Sequence, residues 1–140
     1  MRHRYHFTLP FEVRDYECDL QGIVNNAVYQ QYLEHARHRF LGTSGLSFAA
    51  LTQQGINLVV VRAELDYQHP LRSGDLFTIG VRLKRLSPVR FAFLQDLYLT
   101  TGGQETLALS ANVVCAAMNR AGKPIMPTML EPLFERISSS

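Results

Sequence analysis

Residues 25–42 read Asn25-Asn26-Ala27-Val28-Tyr29-Gln30-Gln31-Tyr32-Leu33-Glu34-His35-Ala36-Arg37-His38-Arg39-Phe40-Leu41-Gly42. Tyr29, Tyr32, Leu33, Ala36, Phe40 and Leu41 recur at three- and four-residue spacing, which puts them on one face of a helix. Asn25 or Asn26 can cap its start and Gly42 can end it. His35, Arg37, His38 and Arg39 crowd its C-terminal half, where positive charge suits the helix dipole. Such a helix is about 25 Å long at 1.5 Å per residue, and its apolar stripe needs another layer to bury it.

Around this helix the period is two. Tyr5, Phe7, Leu9, Phe11 and Val13 alternate with His6, Thr8, Pro10, Glu12 and Arg14, a half-buried strand. Pro10 cannot donate to a ladder, so this strand belongs at an edge or carries a bulge. After the helix, residues 47–54 suit one short helical turn, and four strands follow. Val59, Val61, Ala63, Leu65 and Tyr67 alternate with Val60, Arg62, Glu64 and Asp66, and Phe77, Ile79, Val81 and Leu83 with Thr78, Gly80, Arg82 and Lys84. Segments 89–100 and 105–118 are rich in Phe, Leu and Val. Arg72-Ser73-Gly74-Asp75, Thr101-Gly102-Gly103 and Asn119-Arg120-Ala121-Gly122 are turn chemistry. The economical solution is an α+β fold: an antiparallel sheet of about five strands curled around one long central helix. Its outer face and edges, with Leu58 and Val60 expected on that second face, then invite a second subunit.

The chain has 140 residues, which predicts one domain over 1–140. Hydrophobic residues make up 46% and charged residues 19%, so a packed core is expected and disorder is excluded. A net charge of +2 is too weak to make nucleic acid the main partner. Cys18 and Cys115 do not make a disulfide framework and fit a reducing compartment. Met1 to His6 lacks the apolar run of a signal peptide, and no run approaches the roughly 20 apolar residues of a membrane span. A cytoplasmic location is expected. The serine tail Ser138–Ser140 is expected to fray.

One segment carries chemistry: residues 13–29, from Val13 to Tyr29, which link the first strand to the start of the helix and hold Asp19, Gly22 and Asn25-Asn26 within eight residues. Free backbone N–H groups at a helix start can stabilise a developing oxyanion. Asp19, just upstream, can act as nucleophile or general base. From the residues alone, an Asp before a helix is more often a cap or turn residue.

The segment resembles the active-site stretch of hotdog-fold thioesterases of the 4-hydroxybenzoyl-CoA thioesterase type. Asp19, Gly22, Ile23-Val24 and Tyr29 match that pattern, and Tyr32, Glu34, Ala36 and Arg37 match a common helix pattern of these enzymes. Pro70, Leu71, Gly74 and Asp75 look like the family's Pro-hydrophobic-x-x-Gly-Asp turn. The combination looks especially like the plant and bacterial branch acting on fatty acyl-ACP or acyl-CoA thioesters. The resemblance implies a hotdog fold and hydrolysis of an acyl thioester to a free acid and a thiol. It implies that Asp19 attacks the thioester or activates water, and that the N–H of Asn26 or a neighbour polarises the carbonyl. Gly22, Ile23, Val24, Asn25 and Tyr29 would then surround the substrate. The resemblance also implies a homodimer or homotetramer with sites at the subunit interface. Several family members carry an aromatic residue where Asn26 stands; the backbone donor survives that change, an aromatic contact does not.

Other candidates are weaker. Arg82, Lys84, Arg85 and Arg90 suit the phosphates of CoA or phosphopantetheine, although two polar strand faces would look the same. Glu34 can pair with Arg37 or His38 as a solvated or interfacial ion pair. His35 and His38 lack the further ligands a zinc site needs, so no metal and no cofactor are expected. His69 before Pro70 reads as a turn residue. Two other readings compete: a non-hydrolytic acyl-binding or structural hotdog protein, and a hotdog dehydratase. The dehydratase reading lacks its His-x-x-x-x-Pro-Gly setting around His69-Pro70.

Overall fold

The computed structural model describes residues 4–138; Met1–His3 and the tail residues Ser139 and Ser140 lie outside it. The elements, in chain order, are β1 (Phe7–Glu12), α1 (Asn26–Gly42), α2 (Phe48–Gln53), β2 (Asn57–Tyr67), β3 (Leu76–Arg85), β4 (Arg90–Thr101), β5 (Gln104–Met118), β6 (Pro124–Ile125) and α3 (Glu131–Ser138). All strand pairings are antiparallel, in the order β1-β3-β4-β5-β2. The two-residue β6 extends the pairing of β5 beyond its last β4 partner, making six strands rather than about five. β1 is an edge, as Pro10 requires, and Pro10 lies opposite Thr78.

The core forms between α1 and one face of the sheet. From α1 it takes Tyr29, Tyr32, Leu33, Ala36, Phe40 and Leu41, the stripe read from the sequence. From β3 and β4 it takes Phe77, Ile79, Val81, Leu83, Phe91, Phe93, Leu97 and Leu99. Phe40 and Ala36 are fully buried. Asn25 caps α1 by accepting from the Ala27 N–H at 2.9 Å, and Ser47 caps α2 through the Ala50 N–H. Helix α3 was not read from the sequence. Its signal was there: Leu130, Leu133, Phe134 and Ile137 follow helical spacing, and Pro132 sits in the first turn, where its missing N–H costs nothing.

Two details overturn expectations. Leu58 and Val60 do not lie on the sheet's second face. They pair with Ala117 and Cys115 and line a cavity against α1. A β-bulge between Val60 and Arg62 inserts one residue, so the inward set is Leu58 and Val60 before it and Ala63, Leu65 and Tyr67 after it. A strict alternation from Val59 to Tyr67 therefore mislabels the first half of β2. Glu34, in turn, forms no ion pair with Arg37 or His38; among the described residues the ion pairs are Arg62–Glu64 and Arg85–Glu131. His38 instead lies over Phe48, with ring centroids 3.9 Å apart.

On the opposite face of β3, Gly80 leaves room for the ring of Tyr5. A Cβ at Gly80 would stand 2.5 Å from Tyr5 Cγ. Tyr5 donates to Asp96 at 2.7 Å and its hydroxyl lies 3.0 Å from that of Tyr98. Gly80→Ala should therefore displace the ring and these bonds, destabilising the fold by about 1–3 kcal/mol. Urea unfolding checks this; an unchanged midpoint in Gly80→Ala would mean the ring contributes nothing.

Candidate functional site

The segment between β1 and α1 is held in place by short backbone bonds. Residues 19–22 form a tight turn: the Gly22 N–H donates to the Asp19 carbonyl at 3.0 Å. Gly22 has φ +79°, a region where side chains are strained, which is why glycine stands there. The Asp19 N–H donates to the Ile23 carbonyl at 2.8 Å, and Cys18 bridges Val24. The Asn25 N–H donates to the Glu17 carbonyl at 3.0 Å. The turn bearing Asp19 thus folds back onto the start of α1.

A second turn locks this hairpin. The Val24 N–H donates to the Leu71 carbonyl at 2.9 Å, and Ile23 bridges Arg72. Asp75 closes its own turn by accepting from the Arg72 N–H at 2.8 Å, with Gly74 at φ +84°. Tyr29, buried in the first turns of α1, accepts from the Leu71 N–H at 3.0 Å. Its ring meets Tyr67 edge-on at 5.4 Å. Burial raises the Tyr29 phenol above its ordinary range, so it stays a neutral hydroxyl. The structure therefore brings the Asp19-x-x-Gly22-Ile23-Val24 segment, Tyr29 and the Pro70–Asp75 turn into one assembly.

Asp19 itself is exposed, and its Oδ1 accepts from the Gln21 N–H at 2.9 Å. At the helix start, the Ala27 and Val28 N–H groups are taken by the Asn25 side chain and carbonyl. The Asn26 N–H has no acceptor among the described residues. A carboxylate and an open helix-terminal donor thus sit on one braced loop. Beside them, Leu20 and Tyr16 are large and exposed, at 107% and 76%. Tyr32 donates to Glu17 Oε1 at 2.7 Å, fixing the other end of the loop to α1.

The four cations do not form one cluster. Arg82, Lys84 and Arg90 share the sheet face turned away from α1, opposite Leu94, Ala92 and Ala116 in register. Arg85 points the other way; it pairs with Glu131 and lies over the Phe134 ring, 4.3 Å from its centroid. His69 lies at a turn, its Nδ1 2.8 Å from the Pro70 carbonyl. Among the described residues, no three His, Cys, Asp or Glu side chains converge as metal ligands, and no helix is long and apolar enough to cross a membrane.

Removing the Tyr29 hydroxyl should leave the buried Leu71 N–H without an acceptor. Tyr29→Phe is expected to cost about 1–3 kcal/mol, the penalty of an unmet buried donor. Chemical denaturation measures it; a variant as stable as the parent would show that this bond does not brace the loop.

Residues 13–133 match the thioesterase-like superfamily. The chain is 40% identical over 124 residues to the chloroplastic acyl-acyl carrier protein thioesterase ATL3 of Arabidopsis thaliana, covering 88% of this chain and 64% of that protein. It therefore spans less than two thirds of that plant relative. It is 35% identical over 104 residues to the long-chain acyl-CoA thioesterase FadM of Escherichia coli, covering 74% of this chain and 78% of that one. Its fold is shared with the solved 1,4-dihydroxy-2-naphthoyl-CoA thioesterase of Synechocystis, with a TM-score of 0.80 at 21% identity over 86% of this chain and 88% of the other. With the family pattern spread from the Asp19 turn through α1 to the Pro70–Asp75 turn, and a match running over most of its length, the chain belongs to the thioesterase-like superfamily of hotdog proteins.

Proposed function

We propose that residues 1–140 form one thioesterase domain, its sheet curled around α1 as the central helix, that hydrolyses an acyl-CoA or acyl-ACP thioester. The observation that carries this reading is that the Asp19 carboxylate and the open Asn26 N–H lie on one loop tied to α1 and to the Leu71 turn. The named thioesterases among its relatives support it.

The chemistry balances in either of two ways. As a base, Asp19 takes a proton from water while the water oxygen bonds to the thioester carbon. The C–S bond then breaks, and the thiolate receives the proton. As a nucleophile, Asp19 bonds to that carbon and expels the thiolate, and water then cleaves the mixed anhydride. Both routes end in acid and thiol, and both place negative charge on the carbonyl oxygen, where the Asn26 N–H would stabilise it. Gly22, Ile23, Val24, Asn25 and Tyr29 shape the surroundings. Arg82, Lys84 and Arg90 are left to meet the phosphates of the carrier; Arg85, held by Glu131, is not.

The reading includes a homodimer or homotetramer. β2 is an eleven-residue edge strand with β5 as its neighbour, and Val60, Val61 and Tyr67 on it are exposed. A cytoplasmic setting suits the two free cysteines. Light scattering should give a mass of two or four chains; a concentration-independent 15.9 kDa would remove the shared site.

Asp19→Asn keeps the shape and one acceptor oxygen for the Gln21 N–H, so the turn should persist. The amide can neither attack nor accept a proton usefully, and kcat should fall roughly 10²–10⁴-fold. KM should change little. A turn residue would behave otherwise, because Asn serves turns and caps about as well as Asp. A folded Asp19→Asn protein that keeps more than about a tenth of the parent kcat would take Asp19 out of the reaction.

A further inference from the structure

The groove between α1 and β2 holds two cavities, of about 180 and about 370 Å³. Both are lined by Glu34, Arg37 and Val60, so they meet at Arg37. The first starts at Gln30, one turn inside α1, and the second ends at His38 and Phe48. The sheet side is apolar throughout, with Leu65 and Val113 in the first and Leu58 and Phe93 in the second.

Arg37 is out of place in such a groove. It is only 7% exposed. One N–H donates to Gln95 Oε1 at 3.1 Å, and the fully buried Gln95 passes its own N–H to the Leu33 carbonyl at 3.0 Å. No carboxylate lies within ion-pair distance of it among the described residues. The neighbouring Cys115 thiol is pushed up to about 11 by burial and stays neutral; the negative charge that Arg37 does feel is that of Glu34, one turn back on α1 and beyond ion-pair distance. A guanidinium does not surrender its proton in a protein, and a buried cation with no carboxylate in contact with it is costly. Its remaining N–H groups form the fork that matches the two oxygens of a carboxylate.

We propose that Arg37 receives the distal carboxylate of an acyl group lying in this groove, so that the favoured substrates are thioesters of dicarboxylic acids. The proposal rests on the thioesterase reading and adds the acyl class. Arg37 lies eleven residues beyond Asn26, about 16 Å along the helix at 1.5 Å per residue. Its side chain leans back toward the helix start. That separation calls for an acyl chain of medium length, not a two-carbon one.

The test compares CoA thioesters matched in length: hexanoyl with adipoyl, octanoyl with suberoyl, decanoyl with sebacoyl. For at least one pair, kcat/KM should favour the carboxylate-bearing member by about tenfold or more, the scale of a hydrogen bond to a charged group. Arg37→Met keeps most of the side-chain stem and should collapse that ratio to near one, through a higher KM for the dicarboxylic member. Arg37→Lys, charged but without the fork, should fall between. The parent protein alone can already overturn the proposal, so a variant that fails to fold does not block the test. Preference for the neutral member in every pair overturns the proposal and leaves Arg37 to a structural bond or to a carboxylate of a second copy. A ratio kept in folded Arg37→Met overturns it too. Hydrolysis of neither member of any pair, offered both as CoA and as acyl carrier protein thioesters, is a different failure: it overturns the thioesterase reading, and this proposal with it.

Discussion

Everything in this structure depends on burying one face of α1. A lone helix with an apolar stripe cannot hide it on a second long helix here, so one face of one sheet must do so. That requirement fixes which side chains of β3, β4 and β5 are large. Phe77, Phe91, Phe93, Leu97 and Leu109 all meet the helix side and are almost wholly buried. Fully burying such side chains is worth roughly 1.5–3 kcal/mol each. Those terms dwarf any surface ion pair such as Arg62–Glu64, whose partners are largely solvated. The same constraint seals the stripe while the exposed start of α1 keeps one backbone donor open, the Asn26 N–H.

Much of this was legible in the residues because the two periods differ so plainly. A stripe at three and four between runs at two names one helix among strands, and Pro10 pointed to an edge or a bulge, of which the edge is found. What the residues could not give was phase. At β2 the single extra residue of a bulge reverses which side chains face in, and no residue type around Val60 and Arg62 announces it. The same difficulty hid Arg37. Helical spacing offered Glu34 as its partner, yet the rotamer it takes reaches down to Gln95 on β4, fifty-eight positions away in the chain. Long-range polar pairing of this kind is decided by packing, not by local spacing. By contrast the apolar pattern of α3 was in plain view in the sequence.

The candidate site divides along the same line. The Asp19 turn, its glycine and the capping asparagine are local features, so the sequence shows them. The brace is not local. Tyr29 meets Leu71 across forty-two positions and turns two loops into one rigid assembly. A single carboxylate in a mobile loop has little chemical value, because a reacting atom must be held within a fraction of an ångström of its partner. The Leu71 turn thus matters to the proposed chemistry even though neither of its side chains need touch a substrate.

One feature of the braced loop bears on the proposed oligomer. Leu20 and Tyr16 stand almost naked beside Asp19, and Asp19 itself faces solvent. Oxyanion stabilisation by a backbone donor is strong where water is excluded and weak where it is not. In one isolated chain the Asn26 N–H would compete with bulk water for the carbonyl oxygen, and the carboxylate, apart from its bond to the Gln21 N–H, would face water. Large exposed apolar side chains around a polar pair are what a covering surface would press against. On the proposed reading that cover is another subunit, brought in by the unpaired edge of β2. The polar pair would then gain its low-dielectric setting from the partner, while the brace to α1 and Leu71 keeps the pair in position before the partner arrives.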